Sequence, residues 1–120
     1  MTDTNSGICI RAADPTKIGA YNSYEVNIWD IRPDPSYGTG AIVNFAKVAV
    51  ALVHKAGGQW ITMEVTAQGA SITFKLTGVV TSTLQDSKFS SGPFALQFGP
   101  GVKNALGCPI KWRKVMIKSL

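Results

Sequence analysis

The stretch that decides the fold is Ile61-Thr62-Met63-Glu64-Val65-Thr66-Ala67-Gln68-Gly69-Ala70-Ser71-Ile72-Thr73-Phe74-Lys75-Leu76-Thr77-Gly78-Val79-Val80. Ile61, Met63 and Val65 alternate with Thr62, Glu64 and Thr66, and Ile72, Phe74 and Leu76 alternate with Thr73, Lys75 and Thr77. Period-two alternation places one apolar face and one polar face on a strand. Gln68-Gly69 joins the two runs and suits a tight hairpin, and Thr77-Gly78 offers a second turn before Val79–Thr83. Three consecutive antiparallel strands are predicted from these residues alone.

The same period recurs outward in both directions. Ile8, Ile10 and Ala12 alternate with Gly7, Cys9 and Arg11, and Tyr24, Val26 and Ile28 alternate with Glu25, Asn27 and Trp29. Phe94, Leu96 and Phe98 enclose Ala95 and Gln97, and Val115 and Ile117 enclose Met116. Six or seven strands separated by turns such as Asp34-Pro35-Ser36-Tyr37-Gly38 and Ser91-Gly92-Pro93 predict an all-β, antiparallel β-sandwich or jelly roll. One segment departs from the period. Phe45, Val48, Ala49, Leu52 and Val53 fit helical spacing, so a short helix near 45–54 is allowed, ended by Gly57-Gly58. A buried β-branched strand fits the same residues.

With 120 residues and 45% apolar composition, the chain forms one domain over 1–120 and buries roughly two-thirds of its unfolded surface. The longest apolar run, Val48 to Val53, is too short to span a membrane. No basic segment followed by an apolar stretch marks the N-terminus, so a cytoplasmic location without membrane association is expected. Cys9 and Cys108 are too few for a disulfide framework and are expected as buried thiols. The net charge of +5 is uneven: Lys88, Lys103, Lys111, Arg113, Lys114 and Lys118 follow Asp86 with no acidic residue among them. That asymmetry permits an anionic partner, but no nucleic-acid-binding motif accompanies it, and nucleic acid is not the expected partner.

Several chemistries lack their residues. His54, the single histidine, stands beside Lys55 and reads as a surface residue rather than a base. No nucleophile elbow, Walker sequence or dinucleotide fingerprint occurs. What remains is the polar side of the first two strands, with Cys9, Arg11, Glu25, Asn27 and Trp29. A carboxylate, a guanidinium, an amide and an indole on one face can hold a sugar, and they can equally be an exposed face with an Arg–Glu cross-strand pair.

Asn5-Ser6-Gly7-Ile8 with Arg11, then Tyr24-Glu25-Val26-Asn27-Ile28 with Asp30, then Tyr37-Gly38-Thr39-Gly40-Ala41-Ile42, resemble the 3-keto-disaccharide hydrolase family. Gly58-Gln59-Trp60, the hairpin at 72–80, Ser91-Gly92-Pro93 and Lys111-Trp112-Arg113-Lys114-Val115 keep step with it over nearly the whole chain. The resemblance implies a concanavalin-like (glucanase-like) jelly roll. It also implies action on 3-keto-glycosides or disaccharides by proton abstraction next to the keto group and expulsion of the glycosidic oxygen. On that reading Glu25 is the base and Arg11 the clamp for the developing oxyanion. Asn27, Trp29, Asp30, Tyr37 and Gln97 bind substrate. No cofactor is expected, and no convincing ligand set for a divalent metal is visible.

The chain departs from the family pattern too. It starts where longer family domains have their middle, Cys9 stands where a larger apolar side chain is common, and Ile61 and Thr77 replace asparagines. A partial jelly roll leaves a sheet face uncovered, so a homodimer is expected. The competing reading is a non-catalytic carbohydrate- or small-ligand-binding module that assembles as an oligomer. A retaining glycosidase fits less well, because Glu25 and Asp30 have opposite parity on one strand.

Overall fold

The computed structural model describes residues 3–50, 54–102 and 109–120. Six strands form two antiparallel sheets: β1 (Asn5–Ile10), β2 (Tyr24–Ile28), β3 (Met63–Gln68), β4 (Ser71–Leu76), β5 (Val79–Gln85) and β6 (Ala95–Gly99). The first sheet has the order β2-β1-β6 and the second β3-β4-β5. The only helical element among the described residues is a 3-10 turn at Pro35–Tyr37, capped by Asp34.

The two hairpins form where the turn chemistry directs. Gln68 pairs with Ser71 and Leu76 with Val79, so each connection is two residues long. Thr77 (φ 49°) and Gly78 (φ 81°) are both left-handed, as a type I′ turn between twisted strands requires. Between Phe74 and Lys75 the β4–β5 register shifts. Thr81 falls in this bulge, wholly buried, and its hydroxyl donates to the Gly40 carbonyl at 2.8 Å.

Alternation becomes packing in the expected way. Tyr24 and Val26, with Ile8 and Ile10 beside them, face Ile72, Phe74 and Leu76 across the sandwich, and Met63, Val65, Ala67 and Leu84 complete the core. Tyr24, Phe45 and Phe89 meet edge-to-face, with ring centroids 5.0–6.1 Å apart. Truncating a buried aromatic such as Phe74 costs about 3–5 kcal/mol, a large share of a small domain's stability.

Two sequence expectations are corrected. Residues 45–50 are not helical. Asn44 is left-handed (φ 66°), Ile42 and Ala46 exchange both backbone hydrogen bonds around it, and Phe45 turns into the aromatic trio. The Val48 and Ala49 amides then donate to Ser36 and Thr81, so the backbone joins distant segments instead of closing helical turns. Residues 51–53 of the expected helix lie outside the described residues. The final alternating run, Val115 to Ile117, joins no ladder among the described residues, and its three side chains are more than half exposed. Its segment is held by the Arg113 guanidinium, 4.5 Å from the centre of the Trp60 ring.

Coverage of the first sheet is uneven. Every residue of β2 is buried, whereas Leu96 and Phe98 of β6 and the adjoining Phe94 are 42–53% exposed. The sandwich is complete over β2 and open over β6.

A β-branched residue at positive φ is strained. Replacing Thr77 with Asn, which tolerates that conformation, should therefore raise unfolding stability by about 0.5–1 kcal/mol. Urea denaturation measures this, and an unchanged or lowered midpoint contradicts the turn assignment.

Candidate functional site

The β1 register fixes what shares the outer face of the first sheet. Gly7 stands between Asn27 and Gln97, and Cys9 between Glu25 and Ala95. Each row crosses three strands at roughly 4.8 Å spacing. Small residues (Gly7, Cys9) therefore form its middle, with longer polar side chains along β2 and Gln97 beside Ala95 along β6. Gly7 has no alternative, because an added Cβ would run into the Val26 carbonyl.

Two carboxylates near this face are equally buried and differently treated. Asp30, 6% exposed, accepts from the Thr39 hydroxyl at 2.6 Å and from the Ala56 and Gly57 amides at 2.9 Å each. Thr39 is the hinge of that network, since its oxygen also accepts from the Trp29 amide. Glu25, also 6% exposed, accepts no hydrogen bond among the described residues. Burial pushes its carboxyl above the ordinary value of 4.5, and the charge of Arg32 pulls in the opposite direction. The neighbouring Cys9 is a free, wholly buried thiol. Burial raises its pKa, a hydrogen bond with Ser23 lowers it, and the Glu25 charge raises it further. Cys108 lies outside the described residues.

The seven residues singled out from sequence do not all converge. Glu25, Asn27 and Gln97 do share the outer face. The wholly buried Asn27 donates through Nδ2 to the Tyr37 carbonyl at 2.8 Å, so Tyr37 enters through its backbone. Asn27 Oδ1 and Gln97 Oε1, flanking Gly7, are buried acceptors without a hydrogen-bond partner among the described residues. The Trp29 indole donates to Asp3 at 3.3 Å. Asp30 is committed to the 55–57 loop. Arg11 leaves the row: at φ 53° it ends β1, and its Nη1 donates to the carbonyls of Gly69 at 2.6 Å and Phe89 at 3.4 Å. It ties the first sheet to the β3–β4 turn.

Arg32 was missed by strand parity because it follows β2 rather than lying on it. Its guanidinium sits 5.5 Å from the centre of the Trp29 ring, and its charge is felt by both Glu25 and Asp34. A cation three residues after a tryptophan in a turn was the available signal. A separate cleft of about 320 Å³ lies between the 54–61 segment and the β4–β5 turn, lined by His54, Lys55 and Gln59 over Ile61, Leu76 and Val79. No group of three or more His, Cys, Asp or Glu residues gathers as a metal site among the described residues.

The Tyr37–Ile42 motif has a structural reason throughout. A Cβ at Gly38 would lie 3.0 Å from the Trp29 carbonyl, Gly40 (φ 101°) packs on Thr81, and Ala41 accepts from the Asn27 amide. These contacts hold the 38–41 segment against β2 and thereby place Asn27 and Asp30.

No curated protein and no solved structure matches the chain significantly. A family model described as the 3-keto-alpha-glucoside-1,2-lyase-like domain matches residues 1–118. With nearly the whole chain covered, and with the two-sheet antiparallel architecture just described, this protein belongs to the 3-keto-disaccharide hydrolase family.

Proposed function

We propose that the outer face of the first sheet binds a 3-keto-glycoside and cleaves it by elimination, with Glu25 as the base. The observation that carries this reading is the contrast between the two buried carboxylates. Asp30 is saturated with donors and serves the fold, while Glu25 has none among the described residues and burial disfavours its anion. A carboxylate desolvated in this way is a stronger base than one in water.

The keto group at C3 acidifies the proton on C2. Glu25 takes that proton, and the C–H electron pair moves onto the carbonyl oxygen as an enolate. Collapse of the enolate forms the C1–C2 double bond and expels the glycosidic oxygen, which takes a proton from the Glu25 carboxyl. Water then adds across the double bond. Positive charge near the enolate oxygen lowers the barrier. Arg32 is assigned that role in place of Arg11, whose guanidinium is occupied by two carbonyls far along the chain. The Trp29 ring beside Arg32 offers the apolar C–H face of the sugar a surface. Asn27 Oδ1 and Gln97 Oε1 are acceptors for sugar hydroxyls. Asp30 and Tyr37 contribute by holding Thr39 and Asn27 in place.

A second reading, a carbohydrate-binding module that assembles as a homodimer, is favoured by the open face of β6. Leu96 and Phe98 are 42% and 53% exposed on a strand that, among the described residues, is paired on one side only. A second copy laid on that face would complete the sandwich. Light scattering distinguishes the readings in part: dissociation of a dimer by Leu96→Ser and Phe98→Ser supports assembly, and a monomer removes it.

Turnover of a nitrophenyl 3-keto-α-glucoside tests the catalytic reading. Glu25→Gln should lower kcat by about 10²–10⁴-fold and abolish deuterium exchange at C2. Arg32→Met should lower kcat by about 10²-fold, whereas Arg11→Met should lower stability and leave kcat near the wild-type value. Retained C2 exchange in Glu25→Gln removes Glu25 from the role.

The same residue makes a stability prediction. With its pKa raised, the folded chain holds the Glu25 proton to higher pH than the unfolded chain, so stability falls as pH rises through that window and stays lower above it. Glu25→Gln should therefore raise Tm relative to wild type near pH 7 and lose that advantage near pH 3. A variant with equal Tm differences at both pH values contradicts the raised pKa.

A further inference from the structure

The final described segment, 109–120, has an arrangement that the sheet face does not explain. It has no regular secondary structure, and no backbone hydrogen bond joins it to the sandwich among the described residues. Val115 is 52% exposed, Met116 78%, Ile117 75% and Leu120 72%. Lys111, Arg113 and Lys114 precede them, Lys118 falls among them, and no acidic residue occurs after Asp86. The stacking of Arg113 on Trp60 at 4.5 Å anchors the start of this segment beside the entry to β3.

We propose that residues 111–120 are a strap that binds an anionic lipid surface. Three consecutive apolar side chains, with Leu120 close behind, are costly to leave in water, and an acyl-chain boundary relieves that cost. Four cations within eight residues supply the matching electrostatic attraction, worth roughly fivefold in affinity for each. Charge complementarity selects the occupant. Nucleic acid would use the lysines and leave Val115, Met116, Ile117 and Leu120 exposed, since none of these can donate to a phosphate or stack on a base. A neutral apolar partner would use the aliphatic groups and leave the cations without a counter-charge. An anionic bilayer satisfies both at once. This is binding to a surface and not a span: no helix among the described residues is long and apolar enough to cross a membrane. The inference is independent of the elimination chemistry, because no residue of the strap belongs to the Glu25 face.

Co-sedimentation of the full chain with phosphatidylcholine vesicles, with and without about 30% phosphatidylserine, tests the strap at moderate ionic strength. Binding should require phosphatidylserine and weaken as salt rises. Replacing Lys111, Lys114 and Lys118 together by Gln should reduce the partition coefficient by roughly 100-fold. Met116→Ser with Ile117→Ser should reduce it while leaving salt dependence in place. All of these side chains lie off the core, so Tm should hold and turnover should be unaffected. Equal binding to pure phosphatidylcholine, an unaffected triple variant, or no sedimentation at all overturns the proposal. So does a protein dimer that Ile117→Ser dissociates, which would assign the same side chains to a second copy. Preferential binding of single-stranded RNA over the anionic vesicles overturns it as well.

Discussion

Every residue of β2 is buried, and each of the strand's two faces makes a different demand. Tyr24 and Val26 point into the sandwich against Phe74, Ile72 and Leu76, while Glu25 and Asn27 point the other way and are buried too. The pairing Cys9↔Glu25 holds this division in place. A slip of one residue would drive a carboxylate into the aromatic core and turn Val26 onto the polar row, at a cost no small domain withstands. The candidate site is therefore set by the same register that sets the core. Its polar groups cannot be rearranged without unpacking the sandwich.

Given that constraint, the fold treats its buried polar groups in two ways. The 38–41 segment and the 55–57 loop converge on Asn27, Trp29 and Asp30 and supply most of their hydrogen bonds through backbone and the Thr39 hydroxyl. Among the described residues, Glu25 and the oxygens of Asn27 and Gln97 receive nothing equivalent. Buried polar groups without partners are destabilising in an ordinary domain, and their concentration on one face marks where the fold gives up stability. Asp30 shows that the chain is able to satisfy a buried carboxylate only a few residues away. The bareness of Glu25 is thus local and specific.

How much of this was legible in the sequence depends on the physical signal. The β3–β4–β5 meander was, because alternation and two-residue glycine turns are local properties. The parity that put Cys9, Glu25 and Asn27 on one face was legible for the same reason. Arg11 was not: strand parity assigns it to the polar row, and only its left-handed backbone sends the guanidinium to Gly69 and Phe89. Arg32 lies in a turn, where no period exists to place it. Helical spacing at 45–54 was real but short, and the pull of Tyr24 and Phe89 on Phe45 is a tertiary contact that no local pattern encodes. At Val115–Ile117 three alternating residues were too few to specify a partner strand. Cationic neighbours and high exposure give that segment a different character.

The account turns on Glu25 as a buried carboxyl that feels the charge of Arg32. The most direct test is carbon-13 NMR titration of the Glu25 side-chain carboxyl in the folded chain, in wild type and in Arg32→Met. The carboxyl should titrate above its ordinary value of 4.5, and loss of the Arg32 charge should move it higher still. Titration at or below the ordinary value, or no response to Arg32→Met, would contradict the placement of this pair and the chemistry built on it.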